Sequence, residues 1–394
     1  MLAGTNSPLE KGLECVLLNI KMKKILFLTG TRADFGKIKS LISILEQQPE
    51  FEVFVAVTGM HLQEEYGYTL LEIQRCGYKN VHTFQNHTHE TTMDLTLAKT
   101  IEGLSAYVKT VKPDLILVHG DRVETLAGAI VGSLNNILVA HIEGGEVSGT
   151  VDELIRHSVS KLSHIHFVSN AEAAQRLQQM GEIKESIFTI GSPDIDIMFS
   201  EELPSLDLAK EYYQIDFDLF GIVMFHPVTT EILTMDEYAT HFVNALLTDT
   251  HNYIVVFPNN DLGSKTILQA YKRLKGNPRF RVFPSLRFEY FLTLLKNSQF
   301  IIGNSSAGIR EAPYYGIPII NIGTRQQNRA VHADIINVDY DEKNISEALK
   351  IIDLHRVQPT DADFGQGNSA ELFLKSLRKE VFWQINHQKQ FRDL

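Results

Sequence analysis

The sequence predicts an α/β fold in two domains, each a parallel sheet covered by helices, with a cleft between them; three observations carry this. At 394 residues the chain exceeds the roughly 250–300 residues at which a single hydrophobic core stops growing. Short, fully apolar runs alternate with helix-period segments, the pattern of βα units whose sheet is buried on both faces. The alternation also stops at a Pro204-containing, acidic and aromatic stretch from Phe199 to Phe220, then starts again.

Taken in order, Ile25 to Leu28 reads as the first strand, Gly30 to Gly36 as a loop, and Ile38 to Leu45 as an amphipathic helix. Further strands are expected at Val53 to Val57, Leu115 to Val118, Ile137 to Ala140, His164 to Val168 and Ile187 to Ile190. The second set comprises Ile222 to Phe225, Tyr253 to Phe257, Phe300 to Ile302 and Ile317 to Ile322. The expected divisions are residues 22–198, residues 199–369, and a helical tail at 370–394 that crosses back to the first domain. Residues 1–21 lack a basic start and a continuous apolar core, so they read as an added or upstream leader rather than a signal peptide.

Composition narrows the function. Hydrophobic residues at 44% and charged residues at 22% suit a soluble globular protein, and no apolar run approaches the ~20 residues of a membrane span. A formal charge of -11 argues against binding to a nucleic-acid backbone. Cys15 and Cys76 are the only cysteines, which supports neither a disulfide framework nor thiolate zinc, and the cytoplasm is the expected compartment.

The motifs with chemical potential all follow strands, where open parallel sheets bind ligands. Gly30-Thr31-Arg32-Ala33-Asp34-Phe35-Gly36-Lys37 combines backbone donors with two cations and suits a phosphate, though a plain turn with surface cations fits as well. His119-Gly120-Asp121-Arg122 and His141-Ile142-Glu143-Gly144-Gly145-Glu146 deliver His-x-Asp and His-x-Glu to two strand ends. If extended geometry persists there, His119 shares a face with Asp121, and His141 with Glu143. Gly149 to His157 opens a helix on which Asp152 and Arg156 are an i,i+4 pair, either a surface ion pair or part of the same cluster. The nearby histidines 157, 164 and 166 match no ligand motif such as His-Glu-x-x-His, so no metal is expected. In the second half, Phe225-His226-Pro227, Phe257 to Asp261 and Gly323-Thr324-Arg325 follow strands. Asn304-Ser305-Ser306-Ala307-Gly308-Ile309-Arg310-Glu311 makes an anion cradle, with Glu311 placed to accept ribose hydroxyls.

These blocks, with Thr29 to Asp34 and Gly191-Ser192-Pro193, resemble the hydrolysing UDP-N-acetylglucosamine 2-epimerases of bacterial sialic acid synthesis from about Lys23 to near the C-terminus. The resemblance implies a GT-B-like fold of two Rossmann-like domains, a homodimer, no cofactor, and conversion of UDP-GlcNAc and water to ManNAc and UDP. The route it implies is anti elimination to 2-acetamidoglucal followed by hydration. It points to Asp121, Glu143 and Asp152 as catalytic carboxylates, with His119, His141 and Arg156 orienting or tuning them. It implies nucleotide contacts at Arg32, Gly36, Lys37, Arg122, His226 and Asn259, and at Leu286, Ser305, Ser306, Gly308, Glu311 and Arg325. Non-hydrolysing relatives carry Glu-Ala-Gly-Leu-Arg after the second strand-end His, where this chain has Glu143-Gly144-Gly145-Glu146. Other readings are the non-hydrolysing UDP-GlcNAc 2-epimerase, a hydrolysing 2-epimerase acting on UDP-2,4-diacetamido-2,4,6-trideoxy-glucose, a GT-B glycosyltransferase, and a silent UDP-sugar sensor; the last two fit the carboxylate cluster poorly.

Overall fold

The computed structural model describes residues 22–87, 92–148, 151–326, 335–359 and 364–392. The leader at 1–21 and the Gly149-Thr150 pair that precedes Asp152 lie outside the described residues.

The first half forms a seven-stranded sheet from β1 (Lys23–Thr29), β2 (Phe51–Val57), β3 (Val81–Thr83), β4 (Leu115–His119), β5 (Leu138–Ile142), β6 (Ile165–Val168) and β7 (Ile187–Thr189). Its order is β3-β2-β1-β4-β5-β6-β7, with every pairing parallel. The second half forms a six-stranded sheet from β8 (Gly221–Met224), β9 (Tyr253–Val256), β10 (Phe280–Phe283), β11 (Phe300–Gly303), β12 (Ile319–Ile322) and β13 (Ile335–Val338). Its order is β10-β9-β8-β11-β12-β13, again all parallel.

Both sheets are covered on two faces. Along β1, Ile25 and Phe27 enter one core and Leu26 and Leu28 the other, as the period of two requires. The tail helix at Ser369–Leu377 returns to the first sheet, where Phe373 and Leu377 join Ile25 and Phe27 in one cluster and Phe373 meets Phe167 edge-on at 4.9 Å. Full burial of such a side chain contributes about 1.5–3 kcal/mol.

In each sheet the strand order reverses at one place, between β1 and β4 and between β8 and β11. A crevice opens at such switch points beyond the carboxyl ends. The loops after these four strands carry Thr31–Arg32, Gly120–Arg122, His226 and Ser305–Ser306, so topology alone gathers them at one cleft.

The expected loop at Gly30 to Gly36 is largely helix. The first helix, α1, spans Arg32–Glu46, because Thr31 caps it and Asp34 completes a reciprocal capping box. Gly36 and Lys37 therefore lie in helical turns rather than in a phosphate loop.

Candidate active site

A cavity of about 270 Å³ lies in this cleft, lined from both halves of the chain. All the predicted site residues border it except His141, Gly36 and Gly308. Each exception has a packing reason. A Cβ at Gly36 would stand 2.7 Å from Phe288, so glycine there lets α1 approach that ring. Gly308 packs against Ile319. His141 is fully buried; Gly120 O lies 2.8 Å from its Nε2, and the Ser160 hydroxyl 3.0 Å from its Nδ1. Since a carbonyl only accepts, Nε2 carries the proton, and burial pushes the ring down to about 3, so it stays neutral. His141 anchors the Gly120 turn and does not share a cavity face with Glu143.

Strand alternation fails there because both strand ends turn left-handed, at φ 78° for Gly120 and φ 68° for Glu143. A positive φ is unfavourable for a residue with a β-carbon, so the surrounding contacts must hold Glu143 in place. They are numerous. Glu143 Oε1 lies 2.8 Å from Arg310, 3.2 Å from Lys37 Nζ and 3.3 Å from His119 Nε2, and Arg156 donates to the Glu143 backbone carbonyl at 2.7 Å. Burial alone would raise this carboxyl, yet Arg310, Lys37 and His119 together hold it well below the usual carboxylate range. It is an ionised, oriented carboxylate.

The other two acids meet Arg156, shared with Glu143, and Arg325. The helix Val151–Leu162, α2, carries Asp152 and Arg156. Arg156, 1% exposed, turns inward to pair with Asp121 through Nη2, so the expected i,i+4 geometry is not how its guanidinium is used. Asp152 instead meets Arg325 Nη2 from the second half at 3.5 Å, and Arg325 also donates to Asn304 O at 3.2 Å. His119 contributes a buried ring whose Nε2 faces Glu143 at 3.3 Å and whose Nδ1 has no hydrogen-bond partner among the described residues.

The opposite wall supplies donors. Nδ1 of His226 accepts from the Asn259 backbone N–H at 3.1 Å, which places its proton on Nε2, and burial pushes the ring down to about 3. It is a neutral donor. Ser305 and Ser306 follow β11 and open the short helix Ala307–Arg310, α3. Their placement depends on Gly303, at φ 137°, where a Cβ would stand 2.0 Å from Met224 O across the β8–β11 pair. Gly303→Ala is expected to destabilise the fold by at least about 1–3 kcal/mol, measurable by thermal melts. Glu311, buried beside this segment, is pushed up to about 7, chiefly by desolvation. Arg122 bridges the halves, reaching Asn260 at 2.8 Å and Asp261 at 3.3 Å.

Arg310, Glu146, Asp194 and Ser192 were not assigned roles from sequence. Arg310 donates to Glu146 at 2.5 Å and to the Ser192 hydroxyl, and Lys37 lies 3.5 Å from Asp194. The available signal was the charged residue inside the Ala-Gly-Ile-Arg-Glu run, whose direction only the fold reveals.

Two parallel-sheet halves with a cleft at both switch points define a protein of the GT-B-like class. A family model described as UDP-N-acetylglucosamine 2-epimerase matches residues 43–378, and the chain belongs to that family. It is 48% identical over 377 residues to the Neisseria meningitidis serogroup B UDP-N-acetylglucosamine 2-epimerase, covering 95% of this chain and 100% of that protein. It is 35% identical over 324 residues to the Legionella pneumophila UDP-N,N'-diacetylbacillosamine 2-epimerase (hydrolyzing), covering 81% and 85%. The crystal structure of the Methanocaldococcus jannaschii UDP-GlcNAc 2-epimerase in complex with UDP-GlcNAc and UDP has the same fold, with a TM-score of 0.74 at 20% identity over 90% of this chain and 99% of that one. Among the described residues no helix is long and apolar enough to cross a membrane.

Proposed function

We propose that the protein hydrolyses UDP-GlcNAc to ManNAc and UDP, by anti elimination to 2-acetamidoglucal and then hydration, and so supplies sialic acid synthesis. The observation that carries this reading is the opposition of Asp121, Glu143 and Asp152 on one wall to Ser305, Ser306, His226 and Arg325 on the other.

The chemistry requires both walls. The C2 hydrogen is not adjacent to a carbonyl, so a carboxylate removes it only as C1–O cleavage builds positive charge. Donors around the diphosphate favour that departure, and a nearby anion stabilises the oxocarbenium-like centre. Asp152 takes the C2 proton, the C–H pair becomes the C1=C2 bond, and UDP leaves with the C1–O pair. In the second step a proton is added at C2 while water bonds to C1 and loses its own proton to a base. Glu143, held ionised, suits the base. Asp121 with Arg156, and His119 beside Glu143, complete this end.

Hydrolysis rather than return of UDP-ManNAc is supported by Glu146. It stands where the non-hydrolysing pattern has Leu, with Val147 in place of that pattern's Arg, and it grips Arg310 beside Glu143. The 35% identity to a hydrolysing diacetylbacillosamine enzyme supports hydrolysis too, and makes that UDP-sugar the second substrate to assay. Product analysis by anion-exchange chromatography tests the proposal. Equal amounts of free UDP and ManNAc are expected, whereas UDP-ManNAc as the sole product would refute it.

A further inference from the structure

Arg310 is 3% exposed and stands where the two halves meet. It belongs to α3, five residues after Ser305, yet its guanidinium is spent on groups that follow β5 and β7 of the other sheet. Nη2 is 2.8 Å from Glu143 Oε1, Nη1 is 2.5 Å from Glu146 Oε2 and Nε is 3.8 Å from Asp194 Oδ2. Nη2 also donates to the Ser192 hydroxyl, and the Phe364 ring centre lies 4.5 Å from the guanidinium carbon. Such a forked, planar cation fixes direction as well as charge.

We infer that Arg310 is a positioning residue that orients Glu143 for hydration, supplied by the half that bears the Ser305–Ser306 cradle. This rests on the reading of Glu143 as the base of the second step. The groups facing Glu143 divide by origin. Lys37 on α1, His119 at the end of β4, Arg156 on α2 and the Ser192 hydroxyl at 3.4 Å belong to its own side. Glu146 and Asp194 share these cations, Asp121 takes Arg156, and Glu311 stands next to Arg310 in the chain. Arg310 is the cation contributed from across the cleft. An opposite charge at this separation lowers a carboxyl by about one to three pH units, and its loss raises it.

The test uses Arg310→Gln, Arg310→Lys and the double variant Arg310→Gln/Glu146→Gln, which leaves one fewer buried carboxylate without its cation. Glycal release and ManNAc formation are followed from pH 3 to 8, with UDP affinity measured by calorimetry. The expected result for Arg310→Gln is an acidic limb of ManNAc formation moved up by about one to two pH units. Glycal should accumulate below that limb, and UDP affinity should stay within about threefold, a change under the tenfold of 1.4 kcal/mol. Arg310→Lys should lie between this and wild type, and the double variant should keep the shifted limb even where the single variant folds poorly. A folded double variant with a wild-type pH profile, or loss of ManNAc with no glycal at any pH, overturns the inference. Wild-type protein that forms no ManNAc overturns the underlying reading, and this inference with it.

Discussion

Replacing Asp152 by Asn is expected to slow UDP release by about 10²–10⁴-fold, the contribution typical of a positioned general base. The substitution preserves shape and the approach to Arg325, so nucleotide affinity should change little. That separates two roles. A residue that only neutralised Arg325 would, on losing its charge, free this cation for the diphosphate and alter KM with kcat kept. A base for the C2 hydrogen loses kcat, and since the step precedes glycal formation, no glycal should appear. Rapid-quench measurement of UDP against time, with glycal assayed in parallel, distinguishes the two.

Glu143→Gln should have the opposite signature. Elimination is expected to continue, with free 2-acetamidoglucal released and ManNAc formation reduced at least about 100-fold. The carboxylate faces Lys37, Arg156 and Arg310, so its removal leaves buried cations short of one partner, and a lower melting temperature is expected as well. Glu146, Asp194 and Asp121 still meet those cations, which keeps the loss below that of an isolated buried charge. Activity is therefore to be compared at a temperature where the variant is folded. Equal loss of UDP release in both variants without glycal would mean that the two steps do not divide between these acids.

Much of the architecture was legible because buried parallel strands are apolar on both faces. The expected strands correspond to those observed, apart from ends displaced by one or two residues. The unforeseen strands, Val81–Thr83, Phe280–Phe283 and Ile335–Val338, all lie at sheet edges. An edge strand is covered less completely, and these are mostly half-buried, so they lack the continuous apolar run that marks a central strand. The start of α1 was placed late for a different reason. Its first turn is polar and glycine-containing, and the signal that was present, Thr31 with Asp34 three residues on, is a cap rather than a periodicity.

The site was legible in residue type more than in direction. Strand ends named His119, Asp121 and Glu143, but alternation could not foresee the left-handed turn at Glu143, which takes its side chain into the cavity while His141, within β5, stays buried against Gly120 O. Lys37 was read as a phosphate cation, and in the fold it lies between Glu143 and Asp194. Arg310 was hidden because its partners, Glu143, Glu146 and Asp194, lie more than 100 residues earlier. No local pattern encodes a contact of that range.

The central claim is that one proton is removed from C2 and another returned there after UDP has left. Incubation of the pure protein with UDP-GlcNAc in deuterated water, followed by proton NMR, addresses it directly. The expected products are free UDP and ManNAc bearing deuterium at C2. ManNAc that retains its original C2 hydrogen, or deuterated UDP-ManNAc with no free sugar, would contradict the account.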